Sequence, residues 1–367
     1  MRVVVAPDKF AGTLSAPEAV TAIVEGWKRQ APGDELVGIP MADGGPGFVD
    51  TLHASLGGEL LAVTTAALPD WETQYDALPA AMLRVEDTVY LESAQVVGLA
   101  VAEHSDPLRR SSHGVGVLIA HAIEAGARRI VVGVGGTATN DGGAGLLAAL
   151  GASATGADLD DGPLGLKGLE SVSIDTARQV LAGIELVVAT DVDSPLTGLF
   201  GATKTFGPQK GLREEDLLWV DATLEKLGAL TDRKLALTHG AGAGGGIGFA
   251  LMLLGATRAS GFGLVAEVCG LERALAGADL VITGEGAFDF SSRTGKVPHG
   301  VAEIAQHALV PCILMAGRVE IGSREMRSAG IESAYSMSEA YGEQAALSDP
   351  RTTLRDLATR VARTWSH

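Results

Sequence analysis

The feature that most constrains this chain is a repeated local pattern: a short β-branched run, a loop rich in glycine and acid, then an amphipathic stretch of helical period. Such units feed a mainly parallel sheet, because a parallel crossover needs a helix-length return. Four runs end in loops of this kind, after Ala6, Ile39, Val134 and Ala189, and a fifth follows Thr283. In open α/β sheets the ligand crevice lies beyond the carboxyl ends of the strands, so chemistry is expected in these loops. Glycine lets bare backbone approach a small anion there, and the helix that follows aims its free N–H groups at it.

Residues 2–6 read as the first strand rather than as a signal peptide. Ser15 and Glu18 form a capping box that opens a helix over 16–29, with Ala19, Ile23, Val24 and Trp27 as its apolar stripe. Further strands are expected at 35–39, 129–134, 184–189, 280–283 and 311–316, and further helices at 49–55, 112–125, 146–150, 213–228, 298–308 and 353–364. Residues 81–85 and 88–91 flank Glu86-Asp87 as a hairpin, and 152–168 read as a surface loop. The texture changes near residue 70 and is restored after about 275.

The 367 residues hold 28 Lys and Arg against 45 Asp and Glu, a formal charge of −17, with no long basic block. That argues against a nucleic-acid or anionic-membrane partner. It also means that a phosphorylated ligand must be met by a few placed cations, backbone amides or a metal ion. No stretch approaches the roughly 18 uninterrupted apolar residues of a membrane span. Cys269 and Cys312 lie far apart and outside any CxxC, which fits buried thiols in a reducing compartment, and a cytoplasmic protein is expected.

Named motifs mostly fail. Val297 and Phe290 break the GxxxxGK[ST] pattern around Gly295-Lys296, and neither HExxH nor GxSxG occurs. Matches to a dinucleotide fingerprint at 133–138 and 240–245 are expected by chance among 49 glycines. The acids are more informative. Asp191 and Asp193, just after a buried strand, could take a proton from a hydroxyl or hold Mg²⁺, with an Asx turn or helix cap as the alternative for Asp193. Lys9, Lys204, Lys210 and Lys296 lie in or beside such loops as counter-charges to phosphate, although each taken singly is more often a solvated surface charge.

Six motifs in order carry a resemblance. They are Val5-Ala6-Pro7-Asp8-Lys9-Phe10 with Gly12-Thr13-Leu14-Ser15; Pro40-Met41-Ala42-Asp43-Gly44-Gly45; and Gly133-Val134-Gly135-Gly136-Thr137-Ala138-Thr139-Asn140-Asp141-Gly142-Gly143. Asp191-Val192-Asp193-Ser194-Pro195, Phe206-Gly207-Pro208-Gln209-Lys210-Gly211 and Ile282-Thr283-Gly284-Glu285-Gly286 with Asp289 and Lys296 complete the set. Over nearly the whole chain they resemble the bacterial glycerate kinase family. Departures are Lys9, displaced by two places from the lysine common in the family, Pro46 in place of an acid, Phe48 in place of a threonine, and Ser194 in place of an asparagine.

The resemblance implies two α/β domains with mainly parallel sheets facing across a cleft, with 1–70 and 276–367 forming one and 71–275 inserted as the other. It implies ATP-dependent phosphorylation of D-glycerate, most often at the 2-hydroxyl to give 2-phosphoglycerate, with Mg²⁺ as cofactor; a homodimer is left open. The alternatives are a kinase of another small hydroxy acid or polyol, and a non-catalytic small-anion sensor. Asp191, Lys296 and Lys9 are the expected catalytic residues, Asp191 as base or, with Asp193, as metal anchor, and the lysines as neutralisers of phosphate or carboxylate. Asp8, Asp43, Gly44, Gly45, Gly135, Gly136, Thr137, Asn140, Asp141, Gly142, Lys210 and Glu285 are expected to bind substrate or nucleotide, the loop 135–145 cradling an anion on its N–H groups.

Overall fold

A computed structural model describes residues 1–66, 77–102, 104–290 and 296–366. The domain change expected at residue 70, and Gly295, lie outside the described residues. The strands in chain order are β1 (Arg2–Val5), β2 (Glu35–Gly38), β3 (Glu59–Ala66), β4 (Ala77–Val85), β5 (Thr88–Glu92), β6 (Arg129–Gly133), β7 (Ser153–Thr155), β8 (Ser171–Ser173), β9 (Glu185–Ala189), β10 (Thr257–Ala259), β11 (Leu280–Phe288), β12 (Cys312–Val319) and β13 (Ser333–Ser336). The chain divides into two compact units. One comprises Met1–Asp43, Asp50–Gly57 and Phe262–His367, the other Gly44–Val49 and Gly58–Gly261.

The first unit is built on a five-stranded sheet in the order β13-β12-β11-β1-β2, in which every neighbouring pair is parallel. Its central strands read as unbroken apolar runs because both faces are covered: Val3, Val4 and Val5 are fully buried, as are Leu280, Val281 and Ile282. The helix Ala16–Gln30 starts at the capping box, where Glu18 N–H donates to Ser15 Oγ at 3.4 Å and Ser15 N–H to Glu18 Oε2 at 2.8 Å. Its stripe of Ala19, Ala22, Ile23 and Trp27 shares one apolar core with Leu354, Leu357, Ala358 and Val361 of the helix Pro350–Trp365. Gly26 makes that helix pair possible, since a Cβ there would collide with the Arg355 carbonyl.

The second unit carries a six-stranded sheet in the order β10-β9-β6-β5-β4-β3. Strands β3, β4 and β5 pair antiparallel, the β4–β5 pair being the expected hairpin, while β5, β6, β9 and β10 pair parallel. Two expectations are corrected. Residues 152–168 are not a bare loop: β7 pairs antiparallel with β8, and Leu159, Leu166 and Leu169 join the buried core of this unit. The strand that begins at Leu280 does not stop at Thr283 but runs to Phe288. Its glycines serve close packing: a Cβ on Gly284 would overlap the Met315 carbonyl, and one on Gly286 would lie 3.0 Å from the Ala11 nitrogen. Glu285 is therefore a strand residue. Among the described residues no helix is long and apolar enough to cross a membrane.

Candidate active site

In the first unit the parallel ladder continues past the ends of β1 and β2. Ile39 N–H donates to the Val5 carbonyl at 2.8 Å and Met41 N–H to that of Pro7 at 2.9 Å, while Asp8 N–H donates to Gly284 at 2.8 Å. The two loops therefore run side by side and bring three expected residues together. Lys9 Nζ lies 3.6 Å from Asp8 Oδ1 and 3.9 Å from Asp43 Oδ1. Asp8 is only 7 % exposed. Burial pushes its carboxyl up to about 6, against the pull of Lys9 and with a further push from Asp43. A carboxyl so poised can exchange a proton near neutral pH. Glu285 is buried in β11 in register with Ala316 of β12, and Lys296 is the residue from which the helix Val297–His307 starts.

In the second unit the loop after β6 holds a carboxylate of its own. Asp141 Oδ2 accepts from Ser112 N–H and Oγ, each at 2.7 Å, and from Gly145 N–H at 3.2 Å; Oδ1 accepts from Gly143 N–H at 3.0 Å. Burial raises this carboxyl, and the hydrogen bonds oppose the rise. The helix start expected to cradle a ligand anion thus already holds one. Lys210 is 5 % exposed, and its Nζ donates to the Thr139 carbonyl at 2.7 Å and to Thr137 Oγ1 at 3.3 Å. Burial pushes this ammonium down to about 7, Asp141 opposing and Arg110 adding to the fall. Asn140 Nδ2 donates to Thr203 Oγ1 at 2.9 Å, and its buried Oδ1 has no partner among the described residues.

The expected glycines pack loop against loop. Gly44, at φ 88°, leaves room for the Ala189 carbonyl, which would lie 2.6 Å from a Cβ, and Gly135 abuts Gly45 with 2.8 Å between its would-be Cβ and the Gly45 Cα. Pro46 rests in the same way on Gly136, at φ 66°, and Gly142 has φ 70°.

Asp191 and Asp193 turn to different partners. Asp191 Oδ1 accepts from Ser260 Oγ at 2.6 Å and from Gly261 N–H at 3.1 Å, whereas Asp193 accepts from Arg258 Nη2 at 2.6 Å. Among the described residues no group of three or more His, Cys, Asp or Glu could hold a metal alone. Mg²⁺ does not need such a cage, since it commonly takes one or two carboxylates and fills its other positions with phosphate and water. Asp191, on a loop at a strand end, fits the part of a single carboxylate ligand.

Sequence reasoning missed Glu92, whose buried Oε2 accepts from Gly47 and Val49 N–H at 3.1 and 3.3 Å, closing the start of the helix Phe48–Leu56. A signal existed, since Thr88-Val89-Tyr90-Leu91-Glu92 is an apolar β run closed by an acid. Arg110, which donates from one Nη to the Lys210 carbonyl at 2.6 Å, and the partners Ser260, Arg258 and Thr203 had no local signal.

Mainly parallel sheets in two units, with acids and lysines on the loops at their strand ends, mark an α/β protein of the class that binds small ligands beyond its strands. Residues 3–366 match the model of the Glycerate kinase family. The chain is 37% identical over 348 residues to glycerate kinase of Bacillus subtilis, covering 92% of this chain and 90% of that protein. It is likewise 37% identical over 358 residues to glycerate 2-kinase of Escherichia coli K12, covering 93% and 92%. A Salmonella typhimurium LT2 crystal structure provisionally assigned as glycerate kinase 2 matches with a TM-score of 0.81 at 36% identity, over 99% of this chain and 98% of that one. The chain belongs to the glycerate kinase family, and it is a kinase.

Proposed function

We propose that this enzyme transfers the terminal phosphoryl group of ATP to the 2-hydroxyl of D-glycerate, giving 2-phosphoglycerate. The observation that carries the proposal is the family match over residues 3–366, whose similar chains include a glycerate 2-kinase. Phosphoryl transfer asks a protein for positioning and charge stabilisation more than for covalent chemistry. Lys9, held against Asp8 and Asp43 at the carboxyl edge of a parallel sheet, suits that task. In this scheme Lys9 and Lys296 neutralise phosphate or the substrate carboxylate. Asp191, oriented by Ser260 and Gly261, accepts the hydroxyl proton or serves as ligand to Mg²⁺. Mg²⁺, when bound, supplies charge neutralisation to the phosphates. Lys210 acts by fixing the turn at Thr137 and Thr139, and Asp193 by holding Arg258.

One departure from the family pattern, Phe48, gives no ground for a larger hydroxy acid or polyol in place of glycerate. Phe48 is fully buried with its ring edge-on to Tyr90, at 6.3 Å between centroids, so it faces no substrate. Pro46 touches Gly136 but is itself exposed, so its effect on the acceptor is left to a substrate panel of hydroxy acids. The test is incubation with ATP, Mg²⁺ and D-glycerate followed by phosphorus NMR. A 2-phosphoglycerate signal with stoichiometric ADP is expected; 3-phosphoglycerate would overturn the regiochemistry, and absence of ADP the reaction itself.

A further inference from the structure

The sheet of the first unit has the order β2-β1-β11-β12-β13 read from its other edge. Within the unit, that is second, first, third, fourth, fifth. The chain leaves β1 for β2 on one side, and the strands after β11 build outward on the other, so the order reverses between β1 and β11. In doubly wound sheets of this order, ligands bind beyond the carboxyl ends of the strands at that reversal.

A cavity of about 590 Å³ lies there. Phe10 and Ala11 in the loop after β1, Gly286 and Ala287 at the end of β11, and Gly317 near the end of β12 form one side of it. Met337 and Ser338, directly after β13, and Ala346 and Leu347 of the helix Glu343–Ser348 form the other. Its volume falls in the range of about 300–1,000 Å³ usual for small-ligand pockets. Its character is mixed in a definite sense. The walls are mainly apolar, Arg318 is the cation among them, and Phe10 is the immediate chain neighbour of Lys9, so the Asp8, Lys9 and Asp43 cluster begins one residue along the chain from the lining. A ligand filling the cavity therefore needs a flat apolar end and an anionic end. Glu343 stands in the lining away from Lys9 in sequence and chemistry: it repels phosphate but accepts hydrogen bonds from hydroxyl or amino groups.

We propose that this cavity receives the purine nucleoside of the phosphate donor, the base between the apolar walls, a ribose hydroxyl or the base amino group on Glu343, and the phosphates directed to Lys9. This inference rests on the kinase function proposed above and assigns its nucleotide subsite to the first unit alone. Small residues explain how a base is admitted. Gly286 and Gly317 present bare backbone at the floor, and a Cβ on Gly317 would collide with the Gly286 carbonyl.

The test is calorimetric titration of the full chain with ADP and separately with tripolyphosphate, which carries the charge without a nucleoside. Leu347 is 62 % exposed, so Leu347→Glu alters the cavity wall without burying a charge, and Leu237→Glu, equally 62 % exposed and outside the cavity, is the control. Ser338→Trp fills the cavity by bulk instead of charge. Both cavity variants should weaken ADP by about tenfold or more, the effect of about 1.4 kcal/mol, with tripolyphosphate affinity and the KM for glycerate unchanged and the control like wild type. Unchanged ADP affinity in both variants, while wild type phosphorylates glycerate, overturns the nucleotide assignment and leaves the kinase function standing. Loss of ADP binding in both variants, in a wild type that binds ADP but does not phosphorylate glycerate, supports the subsite and overturns the acceptor. Wild type that binds no ADP overturns the subsite.

Discussion

Asp8 offers a prediction in which stability and activity move in opposite directions. Its carboxyl sits at about 6 against an ordinary 3.8, and burial is the largest cause. One pKa unit corresponds to about 1.4 kcal/mol, so the fold disfavours the ionised form of Asp8 by about 3 kcal/mol relative to the unfolded chain. The sign follows from proton counts. Between about 4 and about 6 the folded state binds more protons than the unfolded state, so stability falls as pH rises through that window and stays lowered above it. Below about 4 both states are protonated and the difference vanishes. Asp8→Asn keeps an oxygen for the Lys9 N–H, now accepted at 2.7 Å, and removes the buried charge. At pH 7.5 the variant should therefore be more stable by up to about 3 kcal/mol, moving the urea midpoint up by about 1.5 M at an m-value of about 2 kcal/mol per M. At pH 4 the two midpoints should coincide. Turnover should fall sharply in the same variant, because the ionisable group beside Lys9 is gone. Urea titrations at half-unit steps of pH, read by circular dichroism, measure the difference directly. A variant that is destabilised at every pH, or a gap that does not close towards pH 4, would refute the claim that burial sets this carboxyl.

Asp191→Asn should abolish phosphorylation of glycerate while circular dichroism and melting stay near wild type, since Asn can still accept from Ser260 and Gly261; near-normal turnover would remove Asp191 from the chemistry. Lys210, lowered from 10.5 to about 7 by burial, is bound to more protons unfolded than folded between those values, so wild type should gain stability over Lys210→Met as pH rises from about 7 to about 10. A flat difference between the two over that range would contradict the burial argument. Ser15→Ala removes a helix cap whose partners lie within three residues. It should lower stability by about 1 kcal/mol and leave kcat and KM untouched, as urea titration and coupled ADP release would register.

What was legible in the sequence was whatever local chemistry dictates. The run Val3-Val4-Val5, the capping box at Ser15 and the acid-bearing loops declare themselves within a few residues, and the structure places them accordingly. The site was legible as a set of residues but not as an arrangement. Asp8 and Asp43 share Lys9 only because β1 and β2 pair in parallel and their ladder runs on into the loops. Glycine misled where it served packing: Gly284 and Gly286 look like a loop, and only the presence of β12 and Ala11 against them shows why they are strand. Arg110 reaches Lys210 across 100 residues, and Ser260 reaches Asp191 across 69, distances over which no local pattern speaks.

The same contacts revise what the negative charge means. In a chain of −17, loops rich in glycine next to helix starts look like places for a ligand's phosphate. In the second unit three such places are already occupied by the protein's own carboxylates: Asp141 on Gly143 and Gly145, Glu92 on Gly47 and Val49, and Asp191 on Gly261. Each satisfies N–H groups that a helix start leaves without an intrahelical partner, and the helix dipole there favours the ionised form of each carboxyl. A phosphate arriving at those amides would have to displace a bound carboxylate or share N–H groups with it, and like charges in a buried setting oppose that strongly. In the function proposed above, anion recognition then rests on side-chain cations more than on these three backbone cradles. Lys210 is turned inward onto Thr137 and Thr139, whereas Lys9 stands a quarter exposed between its two acids, which makes Lys9 the cation from which phosphate binding should be mapped first.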